Sequence, residues 1–300
     1  MHISVLAKEL LEAFATCHLT YFLDGTVGAG GHSRMLLEAH PEMKKLIAVD
    51  QDENALKEAR NNLKSWGNKI EFLHSNFASI PFSEQFSGIL VDLGVSSMQL
   101  DQGERGFSFM REGPLDMRMD RTQSLTAEEI VNTWSEEDLG QIFREFGEEP
   151  RWRVAARSVV AKRKEKRIES TMELVETLRP YFAWKKKGIN PLTLIFQALR
   201  IAVNDELAVI ASFIPKAIEH LAPGGRLAVI TFHSLEDRIV KNLFRDAASD
   251  KQNTIGLQGI FLPKTPTVKL ITKRAVQPSE EEKINNPRSR SAKLRVVERL

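Results

Sequence analysis

Three hundred residues, 42% hydrophobic and 27% charged, are the ordinary composition of a soluble globular protein and suffice for one large domain or two smaller ones. The single cysteine, Cys17, excludes an internal disulfide and a cysteine-based zinc cluster, no apolar run approaches the roughly 20 residues that span a bilayer, and the N-terminus lacks a signal-peptide pattern, so a cytoplasmic protein is expected. The net charge of +2 divides unevenly: residues 1–150 carry 13 Lys/Arg against 25 Asp/Glu, whereas 151–190 have a balance of +8 and 262–300 of +6, which suggests a polyanion partner met by two basic segments.

Residues 3–14 place Val5, Leu6, Leu10, Leu11 and Phe14 at helical spacing. A first strand at 20–24 then runs into Asp24 and four glycines within seven positions, Gly25, Gly28, Gly30 and Gly31, and a helix over about 32–39 follows at once. Strand, glycine-rich turn and helix describe the nucleotide-binding corner of a doubly wound α/β sheet. The second strand is predicted at 46–50, a helix at 52–65 with Asp52 at its positive end, a third strand at 70–74 and a fourth at 87–92. Strands alternating with helices imply a parallel sheet.

That rhythm breaks after Asp92. From about 103 to 190 only helical patterns and loops appear, with helices starting near Thr126 and Ser135, a basic helix at 151–167, and Pro180 and Lys185-Lys186-Lys187-Gly188 interrupting the next. Residues 106–190 are therefore expected as a helical insertion in a sheet domain formed by 1–105 and 191–300. Two apolar helices, 193–203 and 204–221, a turn at Pro223-Gly224-Gly225, and strands at 226–232, 268–272 and 294–297 complete the sheet, with 277–293 expected as a polar loop.

In open α/β sheets ligands bind beyond the carboxyl ends of the strands, where this sequence puts Asp24, Asp50, Asn76, Asp92, His233 and Ser234. Asp50 stands 22 positions after Gly28, the distance expected of a carboxylate that accepts hydrogen bonds from ribose hydroxyls. A dinucleotide fingerprint fails: from Gly28 the third position is Ser33, and from Gly25 the second is Val27. No phosphate-binding G-x-x-x-x-G-K-[ST] is present. No cluster of His, Asp and Glu has convincing metal-ligand spacing.

The run Asp24–Ser33 closely resembles the glycine loop of the S-adenosylmethionine-dependent methyltransferases that modify N4 of a cytosine in bacterial small-subunit ribosomal RNA. So do Ala48–Asp52, Ile89–Ser97, Gln99–Asp101, Glu104–Phe109, Pro114–Met119, Gln197–Glu206, Phe232–Asp237 and Asn286–Arg295, in family order along nearly the whole chain. The resemblance implies a Rossmann-like methyltransferase sheet carrying an all-helical domain, S-adenosyl-L-methionine as methyl donor, and 16S rRNA or the assembled small subunit as partner, in the decoding region. It implies that Gly28, Gly30, Gly31 and His32 border the donor through the main chain and that Asp50 holds its ribose. Phe77 would stack beside adenine unless it is a core aromatic, Asp92 would lie near the sulfonium, and Gln99 would close the site.

The reaction so implied is direct transfer of a methyl group to an exocyclic amine whose lone pair is delocalised, which makes catalysis mainly positional. Related aminomethyltransferases follow the fourth strand with an acid or amide, two prolines and an aromatic; here the run is Asp92-Leu93-Gly94-Val95. Asp92 and nearby carbonyls are the expected acceptors of the amine's hydrogen bonds, with His233 a second candidate catalytic group or a residue that orients acidic neighbours. Arg151, Trp152, Arg153, Lys162, Arg163, Lys164 and Arg167 are candidate RNA contacts, cations for phosphates and an aromatic for an unpaired base, with solvated charge and core packing as the alternatives. A small-molecule methyltransferase and a non-catalytic RNA-binding assembly factor remain open, as does monomer against homodimer.

Overall fold

The structure, a computed structural model, describes residues 4–80, 82, 84–182, 190–253 and 261–300. The first run of elements is α1 (Ala7–Phe14), β1 (Tyr21–Asp24), α2 (Gly31–Ala39), β2 (Lys45–Asp50), α3 (Glu53–Asn62), β3 (Ile70–His74) and β4 (Phe86–Asp92). Helices follow: α4 (Ser97–Asp101), α5 (Ala127–Thr133), α6 (Glu136–Glu145), α7 (Trp152–Glu165), α8 (Thr171–Leu178), α9 (Pro191–Asn204) and α10 (Glu206–Glu219). The last run is β5 (Leu221–Thr231), α11 (Ser234–Ala247), β6 (Lys251–Asn253), β7 (Phe261–Pro263), β8 (Val268–Leu270), α12 (Glu280–Asn285) and β9 (Lys293–Arg299). Two compact units result, Met1–Gly94 with Leu207–Leu300, and Val95–Glu206.

The first unit holds a seven-stranded sheet in the order β3-β2-β1-β4-β5-β9-β8. Strands β1 to β5 are mutually parallel, whereas β9 runs antiparallel to β5 and β8 antiparallel to β9. Chain order reverses between β1 and β4, so the crevice above their carboxyl ends is the topological switch point at which this architecture takes ligands. Both faces of the sheet are covered. Phe22, Leu46, Leu90, Ala228 and Ile230 pack with residues of α1, α2 and α3. Leu23, Val49, Ile89, Val91 and Val229 pack on the other side with α10 and α11. Burial on both faces is why β4 and β5 read as continuous apolar runs rather than as alternations.

The second unit has its own core, including Leu139, Phe143, Ala155, Val159, Leu174, Ile195 and Leu199. Several family-like segments are its internal staples. Arg105, 2% exposed, donates from one guanidinium nitrogen to the carbonyls of Arg118 and Met119. Asn204 donates to Met117 O and accepts from Met119 N at 2.8 Å each, and Arg200 grips Glu206 with two bonds of 2.8 and 2.9 Å. Gly106 has φ +71°, and a Cβ there would strike Pro114 O and Asp116 N, so only glycine fits that crossing.

Two expectations need adjustment. The units divide at Gly94 and Glu206 rather than at 105 and 190, because α4 belongs with the helices and because α9 supplies Ile195, Phe196 and Leu199 to their core. The polar stretch 277–293 contains α12, capped by Ser279 Oγ accepting from Glu282 N at 3.1 Å. It shows no apolar periodicity because α12 buries nothing, Ile284 being 76% exposed. The run Lys185–Gly188 lies outside the described residues.

Candidate active site

The loop after β1 is drawn taut by main-chain bonds to its neighbours. Gly25 N donates to Leu90 O and Val27 N to Val49 O at 2.9 and 2.8 Å, which ties the loop to β4 and β2. Gly28 N donates to Asp50 Oδ2, and Asp52 N to Asp50 Oδ1, each at 2.9 Å. Asp50 therefore organises the loop directly, and its two oxygens keep lone pairs for further donors. Gly28 and Gly30 take φ of +52° and +87°, a region that side chains enter only at a cost. A Cβ on Gly28 would meet nothing, one on Gly30 would stand 2.9 Å from Leu63 Cδ1, and one on Gly31 would collide with Ser4 Oγ. The loop thus presents bare main chain at Gly28 and is closed behind at Gly30 and Gly31.

Beneath it lies a set of buried polar groups. Ser33 Oγ donates to Asp24 Oδ2 at 2.6 Å, and Thr26 Oγ1 accepts from Asp92 N at 2.6 Å. His32 Nε2 lies 2.8 Å from Val5 O. Burial lowers the imidazole's pKa, and a carbonyl can only accept, so the neutral ring carries its proton on Nε2. Its bare Nδ1 then faces Asp92 Oδ2 at 3.6 Å, acceptor against acceptor unless Asp92 holds a proton. Burial, reinforced by the Glu236 carboxylate, raises Asp92 to about 8. Asp92 Oδ1 is buried with no hydrogen-bond partner, although 24% of the side chain remains exposed.

His233 and Glu236 stand at the end of β5. Glu236, 0% exposed, accepts from the main-chain nitrogens of Phe232 and His233 through Oε2, at 2.7 and 3.2 Å, and its Oε1 lies 3.0 Å from His233 Nε2. The histidine thus stands within ion-pair distance of an acidic neighbour, though no hydrogen bond joins His233 Nε2 to Glu236 Oε1. Glu236 itself was not singled out from sequence as a site residue. Its signal is the position: third residue of a helix that opens directly at a strand end, where a carboxylate caps the free N–H groups.

The remaining expected residues fall as follows. Phe77 is 8% exposed and stands edge-on to Phe213 with centroids 4.9 Å apart, so core packing accounts for it. Gln99, in the helical unit, accepts from Ser96 N at 3.0 Å while Ser96 Oγ accepts from Gln99 N, a capping box that starts α4. Trp152 is half-buried. Its ring occupies the notch left by Gly140, and the guanidiniums of Arg153 and Arg144 lie 4.0 and 5.5 Å from its centroid. That packing uses the surface expected to stack on a base. Of the cations, Arg151 donates to Tyr181 O and Arg163 to Val131 O, Lys162 pairs with Glu165 and Arg167 with Glu128. Arg153, Lys162 and Lys164 are exposed on α7, and Lys164 has no partner among the described residues.

The raised carboxyls make a test. Burial lifts Asp24 and Asp50 to about 6 and Asp92 to about 8, so the folded protein holds protons that the unfolded chain releases near pH 4. Stability from these groups is present below that pH and is lost as pH rises through 6 and then 8. Asp116, Asp237 and Glu298, lowered by cationic partners, act in the opposite sense at more acid pH, and His32, lowered by burial, does so up to its ordinary value near 6.5. The melting temperature is expected to fall between about pH 6.5 and 8.5 as Asp92 loses its proton, followed by differential scanning fluorimetry. A melting temperature that rises across this window would contradict the raised pKa values.

Comparison with known proteins places these features in a family. The model described as the MraW methylase family matches residues 1–300. The chain is 56% identical to the ribosomal RNA small subunit methyltransferase H of Protochlamydia amoebophila, over 100% of this chain and 97% of that protein. It is 47% identical to the protein of the same name from Nostoc punctiforme, covering 100% and 94%, and 44% identical to that from Chlamydia abortus, covering 99% and 97%. Among solved structures, an rRNA methylase from Streptococcus thermophilus matches with a TM-score of 0.44 at 13% identity, over 100% of this chain and 99% of that one. That likeness is too weak to bear on function.

Proposed function

The chain belongs to the MraW methylase family, and from that premise we propose that it methylates the exocyclic N4 amine of a cytidine in 16S rRNA, using S-adenosyl-L-methionine. The observation that carries the chemistry is Asp92: a buried carboxyl with an orphaned oxygen, at the switch point beside the glycine loop. A desolvated carboxylate in that position suits a sulfonium, and the bare main chain at Gly28 and the spare lone pairs of Asp50 suit the rest of the donor. When bound, S-adenosylmethionine supplies an electrophilic methyl group on a positively charged sulfur.

The residues of the chain then have three tasks. Asp50 and the loop it ties hold the ribose and present Gly28, Gly30, Gly31 and His32 to the donor. Asp92 offsets the sulfonium charge, and with carbonyls after β4 it accepts hydrogen bonds from the amine, aligning the nitrogen lone pair with the departing methyl. As the N–C bond forms and the S–C bond breaks, the amine must lose a proton. Asp92, ionised beside the sulfonium, regains the basicity that burial gives it as the sulfur loses its charge, and can then take that proton. Glu236 and His233 border this centre, Glu236 fixed by main-chain N–H groups and helping burial to keep Asp92 basic by its charge.

Exposed cations on α7, Arg153, Lys162 and Lys164, meet RNA phosphates in this reading, and the reaction takes place in the cytoplasm. No helix among the described residues is long and apolar enough to cross a membrane. The deciding experiment is transfer of radiolabel from S-adenosylmethionine into naked rRNA, small subunits or a metabolite pool, followed by nucleoside analysis. Label recovered as N4-methylcytidine is expected; label in metabolites alone, or none despite cofactor binding, overturns the reading. His233→Ala is expected to slow single-turnover methylation at saturating cofactor by about tenfold or less, as befits a positioning residue, against the larger factors of general bases.

A further inference from the structure

The sheet unit carries a second charged feature that the active-site reading does not use. A groove of about 350 Å³ lies between α11 and the edge formed by β8 and the residues after it. Lys241, Arg245, Lys273, Arg274 and Arg295 line it, and buried Phe244 is among its apolar lining residues. Arg295 is neutralised by Asp237, with Nε to Oδ1 at 2.7 Å and Nη2 to Oδ2 at 3.3 Å. The other four have no carboxylate partner among the described residues. Their neighbours show how differently this edge treats its other cations: Arg226 and Lys269 pair with Glu298, Lys264 with Asp246 and Lys293 with Asp237.

Four uncompensated cations around one groove repel one another. Lys241 and Arg245 also stand four residues apart on one helix face, where like charges destabilise. No carboxylate of the described residues relieves that repulsion, so a negatively charged partner would find complementary charge here. Register gives the groove a direction. Leu270 is opposite Val297, which is opposite Leu227, and Val276 bridges Leu294, which is opposite Ile230. The segment from 270 to 276 therefore climbs beside β9, in the direction of the carboxyl end of β5. At about 3.3 Å per residue its top lies about 10 Å below the level of His233. Arg245 is 11 residues beyond Ser234, so the groove descends about 17 Å along α11.

We propose that this groove is a phosphate track on the sheet unit, in which Lys241, Arg245, Lys273 and Arg274 hold the backbone of the substrate RNA as it leaves the catalytic end of β5. Arginine forks and lysine points, with no exposed aromatic among the lining residues, fit phosphodiester oxygens and carry no sequence preference. The proposal rests on the RNA methyltransferase reading above.

The test uses the full chain and a naked small-subunit rRNA fragment that the wild-type protein methylates. The double variants K241Q/R245Q and K273Q/R274Q are compared with wild type by anisotropy between about 50 and 200 mM salt. Each is expected to bind RNA about tenfold more weakly, and the slope of log affinity against log salt should flatten by about 1.4 to 1.8 for two lost phosphates. Unchanged S-adenosylmethionine affinity by calorimetry establishes that the variants are folded, and the rate at saturating RNA should be kept. Affinity and slope within twofold of wild type in both folded variants would overturn the track. Weaker binding to assembled subunits with unaltered binding to naked RNA would also overturn it, assigning the groove to a protein partner. A wild-type chain that transfers no methyl group to RNA overturns the functional reading instead.

Discussion

Asp92→Ala is expected to lower the single-turnover rate of methyl transfer at saturating cofactor by about 100- to 1000-fold, the range seen when one aligned electrostatic group is removed from an active site. Two features of the structure load this residue. Its Oδ1 is buried without a partner, and its Oδ2 faces the unprotonated Nδ1 of His32 at 3.6 Å. In the free protein the carboxyl, raised to about 8, is therefore protonated at neutral pH. A sulfonium favours the ionised form, so donor binding and proton release are linked. S-adenosylmethionine affinity should rise with pH, by up to about tenfold per unit below pH 8, and level off above it. S-adenosylhomocysteine, whose sulfur is neutral, should show little of this dependence. Asp92→Asn should abolish the difference between the two ligands while keeping Thr26 bound to the main chain. Calorimetry with both ligands at pH 6, 7 and 8 reads it directly. Parallel pH profiles for the two in wild type would remove Asp92 from the sulfonium, and an unchanged single-turnover rate in Asp92→Ala would remove it from the chemistry.

Gly30→Val should abolish donor binding and lower the melting temperature strongly, whereas Gly28→Ala should weaken binding at a smaller cost in melting temperature, that of backbone strain alone. Gly30 has φ +87°, where a side chain costs about 1–2 kcal/mol in backbone strain alone. Its added Cβ would also stand 2.9 Å from Leu63 Cδ1 and 3.0 Å from Leu63 Cγ, and Leu63 is wholly buried. A β-branched residue there must displace either Leu63 or the start of α2. At Gly28 the strain is similar, with φ +52°, but the Cβ would have nothing within 4 Å. It would project into the space before the loop, which is where the proposed ligand approaches the main chain. The two variants thus separate the loop as scaffold from the loop as binding surface. Unchanged donor affinity in folded Gly28→Ala would show that the open space at Gly28 is not a ligand site.

Features set by neighbouring residues are legible in the sequence. Strand β1, its glycines and α2 are contiguous in sequence, and the turn they form is set by backbone angles that only glycine takes cheaply. Asp52 was expected at the positive end of a helix, and its side chain accepts from Asn54 N at 3.0 Å. The family-like segments were legible as a set, but their roles were not. Gln197–Glu206 and Pro114–Met119 look like site motifs, yet Arg200, Asn204 and Asp116 spend their polar groups inside the helical unit. The helix α12 is not legible because a helix that buries no residue leaves no apolar period to detect.

By itself the sequence determined the seven strands of the main sheet, the glycine corner, and carboxylates at the ends of β2 and β4, because each depends on neighbours within one turn or one strand. Only the tertiary structure decided which of those groups meet. His32 takes its proton direction from Val5, 27 positions away. Asp92 gains its basicity from burial and from Glu236, which arrives on another strand's helix. Trp152 fills the gap left by Gly140, and Arg295 is silenced by Asp237 while Lys241, Arg245, Lys273 and Arg274 are left uncompensated. A side chain's charge is written in its residue type, but its protonation and its partners depend on desolvation and on distances between residues remote in sequence, and those exist only once the sheet and its helices are packed.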